Sequence, residues 1–149
     1  MIHIVAADNQ HCNMILEWRN DKDSRNNFFN SNIILFEDHK KWYDNYIKDN
    51  PNRLLMCKLK DNNVCMVRFD NVYNNESYKV SINMNPDYRG KKLSAKCLGQ
   101  AIQFFIKHNK WEVWYIYADI KPSNIASMKC FERNKFVLWD TGTYWLDLT

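Results

Sequence analysis

Residues 83–105 read NMNPDYRGKKLSAKCLGQAIQFF, and the corner Arg89-Gly90-Lys91-Lys92 is where chemistry is easiest to place. A short apolar run enters it through Ile82 and Met84, and a long helical pattern leaves it. A helix that starts after such a turn offers an anion its free backbone N–H groups and the positive end of its dipole. Arg89, Lys91 and Lys92 add charge, and a glycine lets an anion approach the backbone, in a chain that has only three glycines. Taken alone, the stretch fits equally well a turn that Gly90 merely terminates and whose basic side chains are solvated.

The elements that hold this corner can be read from periodicity. Ile2 to Val5 is a short strand. Asp8 or Asn9 then caps a helix carrying Met14, Ile15, Leu16 and Trp18. FEDHKKWYDNYIKDN forms a second helix, with Glu37 and Asp38 at its start and Trp42, Tyr43, Tyr46 and Ile47 along one side. NRLLMCKL, VCMVRFDN and YKVSINM are three strands of an antiparallel meander, joined by Asn- and Asp-rich turns that supply left-handed conformations. Leu93, Cys97, Leu98, Ala101, Ile102 and Phe105 trace a wide apolar stripe, which predicts a buried helix from Lys91 to Asn109. VWYIYADI is a strand, NIASMKCFERN a helix, and KFVLWDTGTYWLDL a closing strand or a hairpin around Gly142. The order β-α-α-β-β-β-α-β-α-β is that of an α/β or α+β fold with a mixed sheet.

Composition bounds the rest. A chain of 149 residues with 46% hydrophobic and 15% aromatic residues forms one domain, residues 1–149, with a real core. No apolar stretch is long enough to span a bilayer and the N-terminus lacks signal-peptide character, so the expected location is the cytoplasm, without membrane association. Five scattered cysteines without a C-x-x-C pair read as reduced thiols, with no metal expected. A formal charge of +4 suits a small anionic ligand and does not call for nucleic acid.

INMNPDYRGKKLSAKCL resembles the pyrophosphate motif of the GNAT N-acetyltransferases, an apolar strand and a proline followed by Arg-Gly-Lys-Gly-apolar-Gly/Ala. PSNIASMKCFERNKF is similar to that family's second signature, Asn-x-x-Ser/Ala-x-x-x-Tyr/Phe-x-x-x-Gly-Phe. The resemblance spans essentially the whole chain and implies the GNAT fold, a mostly antiparallel mixed sheet flanked by helices, with acetyl-CoA as acyl donor and no metal. It assigns Arg89, Gly90 and the backbone amides of Lys91, Lys92, Leu93 and Ser94 to the pyrophosphate. The strand ending at Asn83 and Met84 would splay from its neighbour and pair with the pantetheine arm. Asn124 would bond that arm, and Ser127 and Phe131 would line the thioester end.

The departures from the pattern are specific. Lys92 and Ser94 stand where small residues are usual, which a helical backbone would tolerate. Asn134 replaces a glycine in a left-handed position after the last helix. Phe131 stands where many relatives have a tyrosine that protonates the leaving thiolate, and phenylalanine has no proton to give. The leaving group would then be helped by water or the Ser127 hydroxyl, or depart as thiolate. Asp119 occupies the position at which some family members carry an acid that serves as base; a residue at a strand end that bonds loop amides fits it equally.

ILEWRND and FFNSNIILFEDHKKWYDN resemble the subgroup that acetylates nucleotide-linked amino sugars for bacterial surface glycans. This implies a direct attack by the acceptor's primary amine on the thioester. Arg19 would pair with a phosphate, Asn20 and His39 with hydroxyls, and Trp18 or Trp42 would stack on a base or sugar. Core positions for the tryptophans and helix capping by Arg19 and Asn20 remain open, as do acetylation of a protein N-terminus or small amine and a non-catalytic acyl-CoA-binding relative. The closing segment YWLDL could pair with a second copy in a homodimer or be covered within the domain.

Overall fold

The computed structural model describes residues 1–149. The chain runs β1 (Ile2–Ala6), α1 (Cys12–Asn20), α2 (Lys22–Asn27), α3 (Phe36–Asp49), β2 (Leu54–Leu59), β3 (Asn62–Asn71), β4 (Ser77–Met84), α4 (Ser94–His108), β5 (Tyr115–Asp119), α5 (Ile125–Arg133), β6 (Val137–Asp140) and β7 (Thr143–Asp147). Short 3-10 turns precede α1 and follow β4. The seven strands form one sheet in the order β1-β2-β3-β4-β5-β7-β6. Every pairing is antiparallel except that of β4 with β5.

Strand alternation sends the two faces of the sheet to two cores. Cys57, Val64, Cys65, Val67, Phe69, Val80, Ile116 and Ala118 join Leu98, Ala101, Ile102 and Phe105 of α4 in the larger one. Phe69 stacks on Phe105 at 4.1 Å between ring centroids. On the other face Leu54, Met56 and Met66 meet Ile15 and Trp18 of α1 and Tyr43 of α3. Burying such side chains stabilises the fold by about 1.5–3 kcal/mol each before entropy is counted.

Three local expectations are corrected, and the choice left open for the closing segment is decided. An extra helix, α2, follows α1 directly because Asp21 caps it, accepting from the N–H groups of Asp23 and Ser24. Helix α4 starts at Ser94, not Lys91, because Gly90 and Lys92 both have positive φ, 73° and 60°. Lys92 is thus not helical, and its left-handed backbone is the conformation that favours glycine. After α5 the left-handed residue is Lys135, φ 71°, whereas Asn134 has φ −95° and uses its side chain instead, donating to the Ala95 and Cys130 carbonyls. The closing segment is a hairpin around Gly142, φ 78°, and β7 lies inside the sheet between β5 and β6. The edge at this end of the sheet belongs to β6, where Val137, Leu138 and Trp139 are exposed.

Candidate active site

β4 and β5 are hydrogen-bonded neighbours only over Ser77–Tyr115, Tyr78–Ile116 and Lys79–Tyr117. Beyond Lys79, β4 continues to Met84 against β3 alone, while β5 ends at Asp119 against β7. The sheet forks here, and backbone groups on one edge of residues 80–84 are left unpaired by sheet. A cavity of about 790 Å³ occupies the fork and extends to both sides.

One arm of the cavity ends at the basic turn. Gly90, Lys92, Leu93 and Ser94 line it. The first rung of the α4 ladder runs from the Cys97 N–H to the Leu93 carbonyl, 3.0 Å. The N–H groups of Ser94, Ala95 and Lys96 therefore lie outside the ladder. Left-handed Lys92 followed by right-handed Leu93 (φ −93°, ψ −22°) is the alternation that turns successive N–H groups toward one anion. A Cβ on Gly90 would meet nothing within 4 Å, so within the chain its φ, rather than crowding, calls for glycine. Lys91 does not line the cavity; its ammonium lies 5.0 Å from the Tyr88 ring centroid.

Arg89 is engaged elsewhere. Its Nη2 donates to Asp21 Oδ2 at 2.7 Å and to Ser24 Oγ at 2.6 Å, and Nη1 lies 3.7 Å from Asp23 Oδ2. Ser24 Oγ donates in turn to Asn83 Oδ1, 3.0 Å. Arg89 thus fastens the turn and the end of β4 to the N-terminus of α2. Burial pushes the Asp21 carboxyl up, but the Arg89 hydrogen bond, the Ser24 amide, the Arg89 charge and the Asp23 amide outweigh it and hold it below its ordinary value.

At the fork, Asp119 lines the cavity with Oδ1 accepting from Thr143 Oγ1 at 2.9 Å and Oδ2 paired to Lys79 Nζ at 3.2 Å. The Asn124 side chain caps α5, its oxygen accepting from the Ser127 N–H at 3.2 Å, which leaves its amide NH2 free to donate. Ser127 and Phe131 line the same wall, Phe131 being buried edge-on against Phe136.

The other arm reaches α1, α3 and β3. Arg19, His39 and Trp42 line it, together with Arg68, which the sequence reading passed over. Arg68 lies over Trp42, 5.1 Å to the ring centroid, and pairs with Asp70 at 2.9 Å. Arg19 stacks on Phe28 at 3.9 Å and donates from Nη2 to the Asn30 carbonyl, yet its Nη1 is buried without a partner. Burial, then the charges of Arg68 and Arg25, lower its pKa. His39 is buried with Nε2 2.9 Å from the Cys12 carbonyl, so Nε2 carries the proton. Burial lowers its pKa against the opposing effect of that carbonyl.

Two expected ligand contacts are not assembled. Trp18 is 5% exposed in the smaller core because Ile15 and Trp18 share the inward stripe of α1. Asn20 is bonded through Nδ2 to the Ile34 carbonyl and through Oδ1 to the Ile34 N–H, both 2.8 Å, and so pins the 28–35 loop. Neither lines the cavity. A signal for Arg68 existed in VCMVRFDN, where a charged residue shares strand parity with Met66.

The sheet thus forks beside a basic turn at the N-terminus of α4, and one cavity runs through the fork. The family model for the Acetyltransferase (GNAT) domain matches residues 2–137. The chain belongs to that family and is an acetyl-CoA-dependent N-acetyltransferase. Among solved structures it is similar to a spermidine N-acetyltransferase from Vibrio cholerae in complex with CoA and spermine, with TM-score 0.83, 15% identity, and 98% of this chain and 95% of that one covered. It is also similar to a proposed phosphinothricin N-acetyltransferase, at TM-score 0.82, 17% identity and coverage of 100% and 99%. A proposed acetyltransferase from Salmonella typhimurium with its cofactor acetyl-CoA gives TM-score 0.78, 18% identity and coverage of 100% and 95%. At these identities the likeness carries the fold alone. No curated protein matches the sequence.

Proposed function

We propose that this acetyltransferase transfers the acetyl group to the primary amine of a nucleotide-linked deoxy-amino sugar. The observation that supports this reading is Arg19, a cavity-lining guanidinium with a buried, unpartnered Nη1 and no carboxylate beside it, facing a second arginine, Arg68. A phosphate between them would relieve the repulsion and, with the Arg19 guanidinium turned toward the cavity, supply the missing acceptor. Trp42, which lines the cavity, offers a ring for a base or sugar. Arg19, a cation without a carboxylate partner, disfavours a polyamine acceptor such as the spermine bound by the Vibrio cholerae enzyme.

In this reading the amides of Lys91, Lys92, Leu93 and Ser94, with Gly90, hold the pyrophosphate of acetyl-CoA, and Arg89 keeps the turn in place. The free edge of β4 up to Asn83 and Met84 pairs with the pantetheine arm, and the Asn124 amide donates to it. The acceptor amine attacks the thioester carbonyl directly, with a β4 N–H stabilising the oxyanion. The two oxygens of Asp119 are engaged by Thr143 and Lys79, so the proton reaches it through a water on the remaining lone pairs. Ser127 Oγ is the hydroxyl on the thioester wall, and Phe131 donates nothing.

The test is release of free CoA thiol from acetyl-CoA with UDP- or TDP-linked 4-amino sugars, against spermine and an amino-terminal peptide. Turnover with the nucleotide sugars, and a raised acceptor KM but unchanged acetyl-CoA KM in Arg19→Gln, is the expected result. Turnover confined to spermine or peptide would overturn the acceptor class and leave the acetyltransferase assignment intact.

A further inference from the structure

Below the basic turn, three thiols converge in the core. Cys57 of β2 and Cys65 of β3 are direct cross-strand partners, and Cys97 enters from the first turn of α4. Their Sγ atoms lie within 4.8 Å of one another, and all three residues are 0% exposed. Beyond the cluster, Cys57 Sγ lies 3.8 Å from the Cys97 carbonyl and Cys65 Sγ 3.5 Å from the Met66 carbonyl. Burial and the neighbouring sulfurs push the Cys65 thiol up, and no cationic side chain acts on any of the three.

The donor set selects its ligand by elimination. Three sulfurs without an oxygen or imidazole exclude calcium and magnesium. Structural zinc takes four ligands and finds three. Copper(I) is soft enough, but one positive charge on three thiolates leaves net negative charge in an apolar core with no counter-ion, which is costly. A trivalent thiophilic centre on three thiolates is neutral. We propose that Cys57, Cys65 and Cys97 form a binding site for trivalent arsenic, supplied as arsenous acid.

The exchange balances without an oxidant or reductant. Three S–H bonds and three As–O bonds break, three As–S bonds form, three waters leave, and arsenic stays trivalent. Arsenous acid is uncharged, so its entry requires only that α4 open briefly from the sheet. Once formed, the three bonds tie the first turn of α4 to β2 and β3, under the turn that ends at Ser94. The inference is independent of which acceptor the enzyme uses.

The test incubates the full reduced chain with sodium arsenite, removes the excess and measures arsenic per chain. One arsenic per chain is expected, with X-ray absorption showing three sulfur neighbours and no oxygen, and with a raised melting temperature by linkage. Cys97→Ala should retain none, while Cys12→Ala/Cys130→Ala should retain one. No arsenic on the wild type, an arsenic–oxygen bond in the bound form, or undiminished retention by folded Cys97→Ala would each overturn the site. Should Cys97→Ala fail to fold, the wild-type absorption spectrum decides alone.

Discussion

Arg89 and Asp21, 68 residues apart in sequence, close an ion pair of 2.7 Å that joins the turn before α4 to the cap of α2. The same Asp21 oxygen that receives Arg89 also accepts the N–H groups of Asp23 and Ser24, at 3.1 and 3.2 Å. One carboxylate therefore holds a helix start and a loop at once.

The sign of its pH dependence follows. The folded-state pKa of Asp21 lies below the ordinary 3.8, so its contribution is fully present above that value and is lost as pH falls through the folded pKa. Urea melts of wild type and Asp21→Asn should differ most near neutral pH and converge on acidification through the carboxylate range. Arg89→Ala should loosen the turn and weaken CoA binding, measured by titration calorimetry.

Lys92 gives a second prediction. A side chain at φ 60° is strained by roughly 1 kcal/mol, and glycine would relieve that while adding about 0.4–1 kcal/mol of unfolded-state entropy. Lys92→Gly should leave the melting temperature nearly unchanged. Lys92→Val, β-branched in the same backbone, should lower it clearly. The salt dependence of CoA affinity should weaken in both, because both lose the same charge.

Gly99 gives a third. A Cβ there would sit 2.8 Å from Asn134 Oδ1, and the Asn134 amide bonds the Ala95 and Cys130 carbonyls at 3.0 Å each. Gly99→Ala should displace that amide and destabilise by about 1–3 kcal/mol. Gly99→Ala/Asn134→Gly should recover part of the loss, since the obstructing side chain is gone; a denaturant double-mutant cycle measures the coupling.

Two substitutions separate the proton steps. Asp119→Asn should keep CoA affinity and cut turnover at neutral pH, with unchanged turnover removing it as proton acceptor. Phe131→Tyr should raise kcat by up to about a hundredfold, the modest end of general-acid effects. Single-turnover measurements check both, because they isolate the acyl step.

Much of this was legible before the fold was seen. Residue types on the apolar stripes of α3 and α4 set both helices, and the Arg-Gly-Lys-Lys corner together with Asn124 pointed to the fork. What the sequence concealed depends on long-range placement. Arg89 has a loop's charge but a partner in another helix, Trp18 has a ligand's aromaticity but a core stripe's spacing, and Asn20 is spent on the Ile34 backbone. Arg68 sits on a strand whose parity gains meaning only when α1 and α3 cover that face. Helix α2 is too short to show periodicity, and only the Asp21 cap marks it.

The fork also bears on how the molecule comes apart. With three register pairs as the only ladder between β4 and β5, strands β1 to β4 and β5 to β7 meet along a short seam. Such a seam is where cooperativity is weakest. Native-state hydrogen exchange should find two blocks of amides opening at different free energies, and acetyl-CoA, lying in the gap, should draw the two values together.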